Sequence, residues 1–252
     1  VSLQTKHLSV SYGTAPIIRD FSEPFKTGQV TALIGCNGAG KSTLFKAMAG
    51  LSPMKGHLLF AEHLLTAAEQ RQHIAYMPQD TDATSSLTVL EVVLLGRLGK
   101  LGMRLPTSLV GEATTALQTF GLATLENRTL NEISGGQRQL VYLAQALFRT
   151  PKVLLLDEPT AALDLRHQLL VLDRVRTYAR DSGACVAIAL HDLTLAAQFS
   201  DRLIGLKDGL VVAAGTASDV LTQQNLQAMY GIKADISRGP SGKIQVTPLH
   251  AV

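Results

Sequence analysis

The segment Gly35-Cys36-Asn37-Gly38-Ala39-Gly40-Lys41-Ser42 constrains this chain more than any other. An apolar run, Val30–Ile34, leads into it, and a helical stretch, Lys41–Ala49, follows and stops at Gly50. Glycines spaced this way let backbone N–H groups turn inward around phosphate oxygens, and the following helix aims its positive N-terminus at the same charge. In the pattern GxxxxGK[ST], Lys41 reaches the β- and γ-phosphates and the Ser42 hydroxyl joins the shell of a Mg²⁺ ion. The phosphate-facing set runs on into Thr43. The bland alternative is a glycine turn that joins strand to helix and binds nothing. A strand before it and a helix after it are the context a phosphate loop requires, and both are present.

Three further apolar runs, His73–Met77, Val153–Leu156 and Cys185–Leu190, read as buried parallel strands. Each delivers a polar group at its end: Gln79, then Asp157-Glu158, then His191. Ligands of an open α/β sheet gather beyond the carboxyl ends of its strands, so these groups are expected on one rim with the glycine loop. Asp157 suits the Mg²⁺ shell, and Gln79 can reach the same ion and its water. Glu158 is placed to polarise an attacking water as general base, and His191 to support the γ-phosphate oxygens.

Ile133-Ser134-Gly135-Gly136-Gln137 stands before a helical stretch ending near Arg149, ahead of Pro151. A serine, two glycines and a helix N-terminus form a second phosphate receptor. One nucleotide already fills the first receptor, so the second points to nucleotide held by another copy of the chain. Between Gln79 and Gln137 the pattern is helical, with Val89–Leu95 and Gly111–Phe120, which reads as an insertion between two strands. The expected division is a discontinuous nucleotide-binding core, 1–80 and 151–252, and a helical subdomain, 81–150. Leu165–Asp181 reads as a helix with Leu165, Leu169, Leu172, Val175 and Tyr178 near one face. From Ile232 onward the sequence is polar and suggests no chemistry.

The chain has 252 residues, 46% hydrophobic and 17% charged, with a formal net charge of +3. This excludes disorder, and the scattered basic residues show no nucleic-acid footprint. Two cysteines, Cys36 and Cys185, make no disulfide framework. No signal sequence or membrane-spanning stretch is expected, so membrane work falls to a partner. The histidines lack metal-ligand spacing.

This ordered set resembles the ATP-binding subunits of ABC transporters. The resemblance implies that Tyr12 stacks on adenine and that Gly35–Ser42 is the Walker A loop. It further makes Gln79 the Q-loop glutamine, Ser134–Gln137 the signature, and Val153–Glu158 the Walker B strand. Ala161-Ala162-Leu163-Asp164 then matches the D-loop and His191 the switch histidine. The implied fold is a P-loop ABC ATPase core, a mixed but mainly parallel sheet with an inserted helical subdomain. ATP and Mg²⁺ are the implied ligands, and two copies sandwich ATP beneath membrane permease subunits.

Three positions depart from the family pattern. Cys36 stands where proline is frequent and is expected to set a thiol near phosphate. Ala161 stands where serine is frequent, and Gln145 replaces a common arginine. The stretches Thr88–Arg97 and Leu163–Thr216 resemble importers of ferric siderophores, haem and cobalamin. Ferric siderophore uptake is the leading expectation, with haem or cobalamin as the alternative. A binding protein outside the membrane would supply the cargo, and the chain would sit on the cytoplasmic face of a bacterial inner membrane. A non-transport ABC ATPase acting on nucleic acid is the remaining alternative.

Overall fold

The computed structural model describes residues 2–79, 85–97, 106–239 and 242–252. Strands β1 (Ser2–Tyr12), β2 (Ala15–Phe21) and β3 (Pro24–Lys26) open the chain. Strand β4 (Val30–Ile34) then passes through the glycine loop into α1 (Lys41–Met48). Strands β5 (Lys55–Phe60) and β6 (His63–Leu64) return to the first group, where β2, β1, β5 and β6 pair in that order, with β3 also on β1. Sequence reading does not anticipate this antiparallel sheet. Its longest member, β1, is short of sustained apolar alternation and is interrupted by irregular register near Lys6 and Ser9.

Helix α2 (Ala67–His73) is started by Thr66, whose hydroxyl accepts from Glu69 N while the Glu69 carboxylate accepts from Thr66 N. It delivers β7 (Ile74–Met77). Helices α3 (Val89–Leu95), α4 (Thr107–Thr119) and α5 (Gly135–Phe148) follow before the chain re-enters the sheet, and they form the inserted helical subdomain. Helix α4 begins four residues earlier than the sequence suggests, directly after Pro106, which sits in extended geometry at its N-cap. Helix α5 begins at Gly135 because Ser134 caps it. Two residues of poor helix propensity sit in its first turn, where the cap outweighs propensity. The arginine-to-glutamine departure is filled locally: Gln145 Nε2 donates to the Val92 carbonyl at 2.8 Å, tying α5 to α3.

The chain then runs β8 (Val153–Asp157), α6 (Leu165–Ser182), β9 (Cys185–Ala189), α7 (Leu193–Phe199), β10 (Arg202–Lys207) and β11 (Leu210–Gly215). The central sheet has the order β11-β10-β4-β9-β8-β7, parallel throughout except for β11. It is the mixed, mainly parallel sheet expected. Both faces are covered, so alternate residues of one strand enter different cores. Val153 and Leu155 of β8 join Phe45 and Met48 of α1, while Leu154 and Leu156 join Val171 and Val175 of α6. Cys185 faces the α1 side, fully buried, its thiol donating to the Phe25 carbonyl and pushed up to about 11 by burial.

The apolar stripe expected along α6 is buried only in its later turns. Leu165 is 76% exposed and Leu169 47%, whereas Leu172 and Val175 are buried. Within the chain those two leucines stay uncovered. Helices α8 (Ala217–Val220) and α9 (Gln223–Tyr230) lead to a hairpin of β12 (Ile232–Arg238) and β13 (Ile244–Ala251). The polar stretch from Ile232 onward is thus a structured hairpin. It docks on α7 where Val246 N donates to Thr194 Oγ1 at 3.1 Å.

Candidate nucleotide site

Strands β4, β7, β8 and β9 carry their chemistry to one rim. The glycine loop spans Gly35 to Gly40, and three of its glycines have positive φ: Gly35 at 150°, Gly38 at 81° and Gly40 at 103°. At Gly40 the requirement is double. It caps α1 in the left-handed region, and a Cβ there would lie 2.5 Å from Ile18 Cδ1. Lys41, 5% exposed, donates its ammonium to the carbonyls of Gly35 at 2.8 Å and Cys36 at 3.3 Å. Burial lowers its pKa, and the carboxylates of Glu158 and Asp157 oppose that shift.

A cavity of about 480 Å³ lies over this loop. Asn37 through Thr43 form its floor, and Gln79, Glu158 and His191 its far wall. Tyr12, 53% exposed, stands at its mouth with Ile17. Every residue expected around one nucleotide is therefore here except three that do not line the cavity. Gly35 supplies the carbonyl under Lys41. Asp157 is buried beneath. Cys36 turns away: its thiol donates to the Met229 carbonyl of α9 at 3.2 Å. That bond ties the loop to α9, a contact the sequence could not show because α9 lies far downstream.

Asp157 ends β8, paired with Ala189 of β9, and is 1% exposed. Its Oδ2 accepts from the Tyr76 hydroxyl, while Oδ1 has no hydrogen-bond partner among the described residues. Burial raises its pKa; the nearby Ser42 and Tyr76 hydroxyls and Lys41 hold it down. A buried carboxylate oxygen without a donor, beside a serine hydroxyl, suits a hard cation that takes its remaining oxygens from phosphate and water. Mg²⁺ fits these residues, and it would neutralise charge on the β- and γ-phosphates.

Glu158, the next residue, leaves the strand with φ 52°, in the left-handed region that costs a non-glycine residue about 1–3 kcal/mol. Its neighbours over-determine that conformation. The side chain accepts from Gln79 Nε2 at 2.7 Å and contacts His191 Nε2. Its backbone carbonyl accepts from Ala161 N at 3.2 Å and from Gln139 Nε2 at 3.0 Å. Gln79 and His191 thus share the Glu158 carboxylate, one on each oxygen.

Ser134, Gly136 and Gln137 lie elsewhere. With Asp164 they line a second cavity of about 480 Å³ that shares no residue with the first. Ser134 caps α5: its Oγ accepts from Gln137 N at 3.3 Å, and its own N–H donates to Gln137 Oε1 at 2.9 Å. Gly136 is packed so closely on the following loop that a Cβ would meet the Ala162 carbonyl at 3.2 Å. Gly135 opens the same turn. Asp164 caps α6 by accepting from His167 N at 2.9 Å. Tyr76, Gln139 and His167 are the site neighbours that motif reading missed. Tyr76 and Gln139 sit next to motifs, on buried faces, and only the tertiary structure reveals what they hold.

Comparison with known proteins agrees with this geometry. The ABC transporter family model matches residues 18–161. The chain is 37% identical over 257 residues to the cobalamin import ATP-binding protein of Halobacterium salinarum. That match covers 99% of this chain but 64% of the relative, so the chain spans less than two thirds of that protein's length. It is 37% identical over 245 residues to the iron(3+)-hydroxamate import ATP-binding protein of Bacillus subtilis, covering 95% of this chain and 91% of the relative. The hemin import ATP-binding protein of Agrobacterium fabrum is 37% identical over 240 residues, at 90% of each chain. Among solved structures, a chain of an inward-facing ABC transporter described as metal-chelate type superposes with a TM-score of 0.84 at 25% identity, covering 99% of this chain and 97% of the other. An ATP-binding cassette solved as a dimer with ADP and Pi, in a post-hydrolysis state, gives 0.77 at 25% identity, covering 85% of this chain and 98% of the other. Among the described residues, no helix is long and apolar enough to cross a membrane. The chain belongs to the ABC transporter family, as an ATP-binding subunit related to the importers of metal chelates.

Proposed function

We propose that this chain hydrolyses ATP to drive import of a metal chelate, working as a pair of copies beneath a membrane permease. One observation carries the shared-site reading: the glycine-loop cavity and the Ser134–Gln137 cavity are separate within the chain. A γ-phosphate held over Lys41 then meets Ser134 and Gly136 only if a second copy supplies them. The dimeric, ADP- and Pi-bound cassette that superposes on this chain supports the same arrangement. Lys41 and the loop amides hold the β- and γ-phosphates, and Ser42 and Asp157 hold Mg²⁺. Glu158 orients water, steadied by Gln79 and His191, and Tyr12 packs against the base. The nucleotide-binding core is taken as 1–80 with 151–252, and the helices within 81–150 serve as the lever toward the permease.

Relatives named for hemin and cobalamin import match as well as the one named for iron(3+)-hydroxamate. They favour a tetrapyrrole chelate over the ferric siderophore that sequence motifs put first. The cargo reaches the permease from an extracytoplasmic binding protein and never touches this chain. Subunits of this kind lie peripherally on the cytoplasmic side of the inner membrane. The test is ATPase activity of the reconstituted complex with its binding protein, offered hemin, cobalamin, ferric siderophores or bare metal ions. Stimulation by hemin or cobalamin is expected. Stimulation by a ferric siderophore alone reverses the order of cargoes. Response only to a bare ion, a sugar or an amino acid overturns the chelate assignment and leaves the ATPase standing.

A further inference from the structure

We propose that Gln139 is a positioning residue that couples the two nucleotide sites of the dimer, setting Glu158 of one site according to what the other site holds. This rests on the shared-site reading above.

Gln139 is 3% exposed and lies on α5, five residues after the Ser134 cap. Its Nε2 donates to the backbone carbonyl of Glu158 at 3.0 Å. That carbonyl belongs to the residue held at φ 52°. Such a conformation persists only while its surroundings impose it. The Glu158 side chain can be steered by Gln79 and His191, which belong to its own nucleotide site. Its backbone is held by Ala161 N and Gln139, and of these only Gln139 comes from the signature helix.

Helix α5 therefore has two ends of a connection on one rigid body. Ser134 at its N-terminus meets the nucleotide bound by the partner. Gln139, ~7.5 Å further along at 1.5 Å per residue, holds the candidate base of its own protomer. The contact is reinforced where Gly136 packs on the Ala162 carbonyl, within the loop that Glu158 begins. When the partner's nucleotide seats α5, Gln139 draws the Glu158 carbonyl into register. When that nucleotide leaves, α5 shifts and Glu158 loses its backbone anchor. A helix that touches one site and holds the base of the other gives reciprocal coupling between them. The Gln139 Oε1, buried without a partner among the described residues, is the cost of aiming the amide at one carbonyl only.

The experiment compares full-length wild type with Gln139→Met, which keeps the length but lacks the donor, and Gln139→Glu, whose carboxyl donates only when protonated. Cooperative wild-type hydrolysis, with a Hill coefficient approaching ~2 for two sites, is expected. Gln139→Met should keep KM for MgATP within about two-fold, lose about ten-fold or more in kcat, and fall toward a Hill coefficient of ~1. Gln139→Glu should resemble Gln139→Met at high pH and recover both kcat and the Hill coefficient relative to wild type as the pH is lowered, with KM steady throughout. If Gln139→Met fails to fold, the pH response of Gln139→Glu decides. Should the wild type not hydrolyse MgATP, the nucleotide-site reading fails. A non-cooperative wild type overturns the coupling alone. So does an unchanged kcat and Hill coefficient in Gln139→Met, or a pH-independent defect in Gln139→Glu.

Discussion

The Tyr76 hydroxyl donates to Oδ2 of Asp157 at 3.1 Å, across the β7–β8 pair, and leaves Oδ1 without a hydrogen-bond donor among the described residues. One carboxylate is thereby divided between a protein contact and a cation contact, and its rotation is stopped. Burial keeps the phenol protonated by raising its pKa, so it remains a donor. Tyr76→Phe removes that donor and keeps the ring. The apparent Mg²⁺ requirement for ATP hydrolysis should rise about ten-fold, in line with loss of a partner behind a metal ligand. Binding of ATP without Mg²⁺ should not change. A magnesium titration of activity beside nucleotide binding in a chelator separates the two.

Glu158→Gln keeps the size of the side chain and loses its charge. A neutral amide cannot polarise water as a base, so kcat should fall by about 10²–10⁴-fold. ATP binding should survive, because Lys41 and the loop amides are untouched. With hydrolysis blocked, ATP should hold two copies together, and size-exclusion chromatography in MgATP should show a dimer that wild type forms only transiently. Near-normal turnover in the purified variant would remove Glu158 from the role of base.

The rim was legible from sequence because buried parallel strands leave a continuous apolar signal and end at a polar residue. Val153–Asp157 is such a strand, and Asp157 and Glu158 stand where the signal stops. What escaped was whatever depends on contacts distant in sequence. Cys36 finds Met229 across 193 positions, and Gln139 finds the Glu158 carbonyl across α5 and β8. The β12–β13 hairpin escaped for another reason. Its outer face is exposed, so few of its residues need be apolar, and only Ala234 and Ile244 are buried. The exposed Leu165 and Leu169 misled in the opposite sense, since periodicity reports an apolar face but not what covers it.

Gly40→Ala tests the glycine loop by geometry rather than charge. The native φ of 103° lies outside the regions open to alanine, and the added Cβ would press on Ile18 Cδ1 at 2.5 Å. The isoleucine can yield, whereas the backbone penalty remains at about 1–3 kcal/mol. For a chain of this size each kcal/mol lowers Tm by ~2–4 °C. The variant should melt a few degrees lower and bind ATP poorly, because relieving the strain turns loop amides away from phosphate. Gly38→Ala provides the contrast: its Cβ would meet nothing within 4 Å, so only its φ of 81° opposes the change. Equal melting temperatures for Gly40→Ala and wild type would show that the loop rearranges freely.

Mixing two inactive variants asks directly whether the site is shared. Lys41→Ala removes the ammonium that bridges the phosphates, and that protomer still presents an intact Ser134 cap. Ser134→Arg fills the second cavity with a long side chain and removes the hydroxyl, while its glycine loop remains intact. Each variant alone forms dimers in which both composite sites carry one defect, so each should be nearly inactive. In a mixed dimer, one site joins both defects and the other joins an intact loop to an intact signature. Random pairing makes about half of the dimers mixed, each with one good site of two. At most about a quarter of the wild-type rate should therefore return, and less if a lone intact site works more slowly without an active neighbour. Activity should rise with the time allowed for subunit exchange and be greatest near equal proportions. A Ser134→Arg chain that hydrolyses ATP normally by itself would mean that the second cavity takes no part, and the sandwich would have to be abandoned.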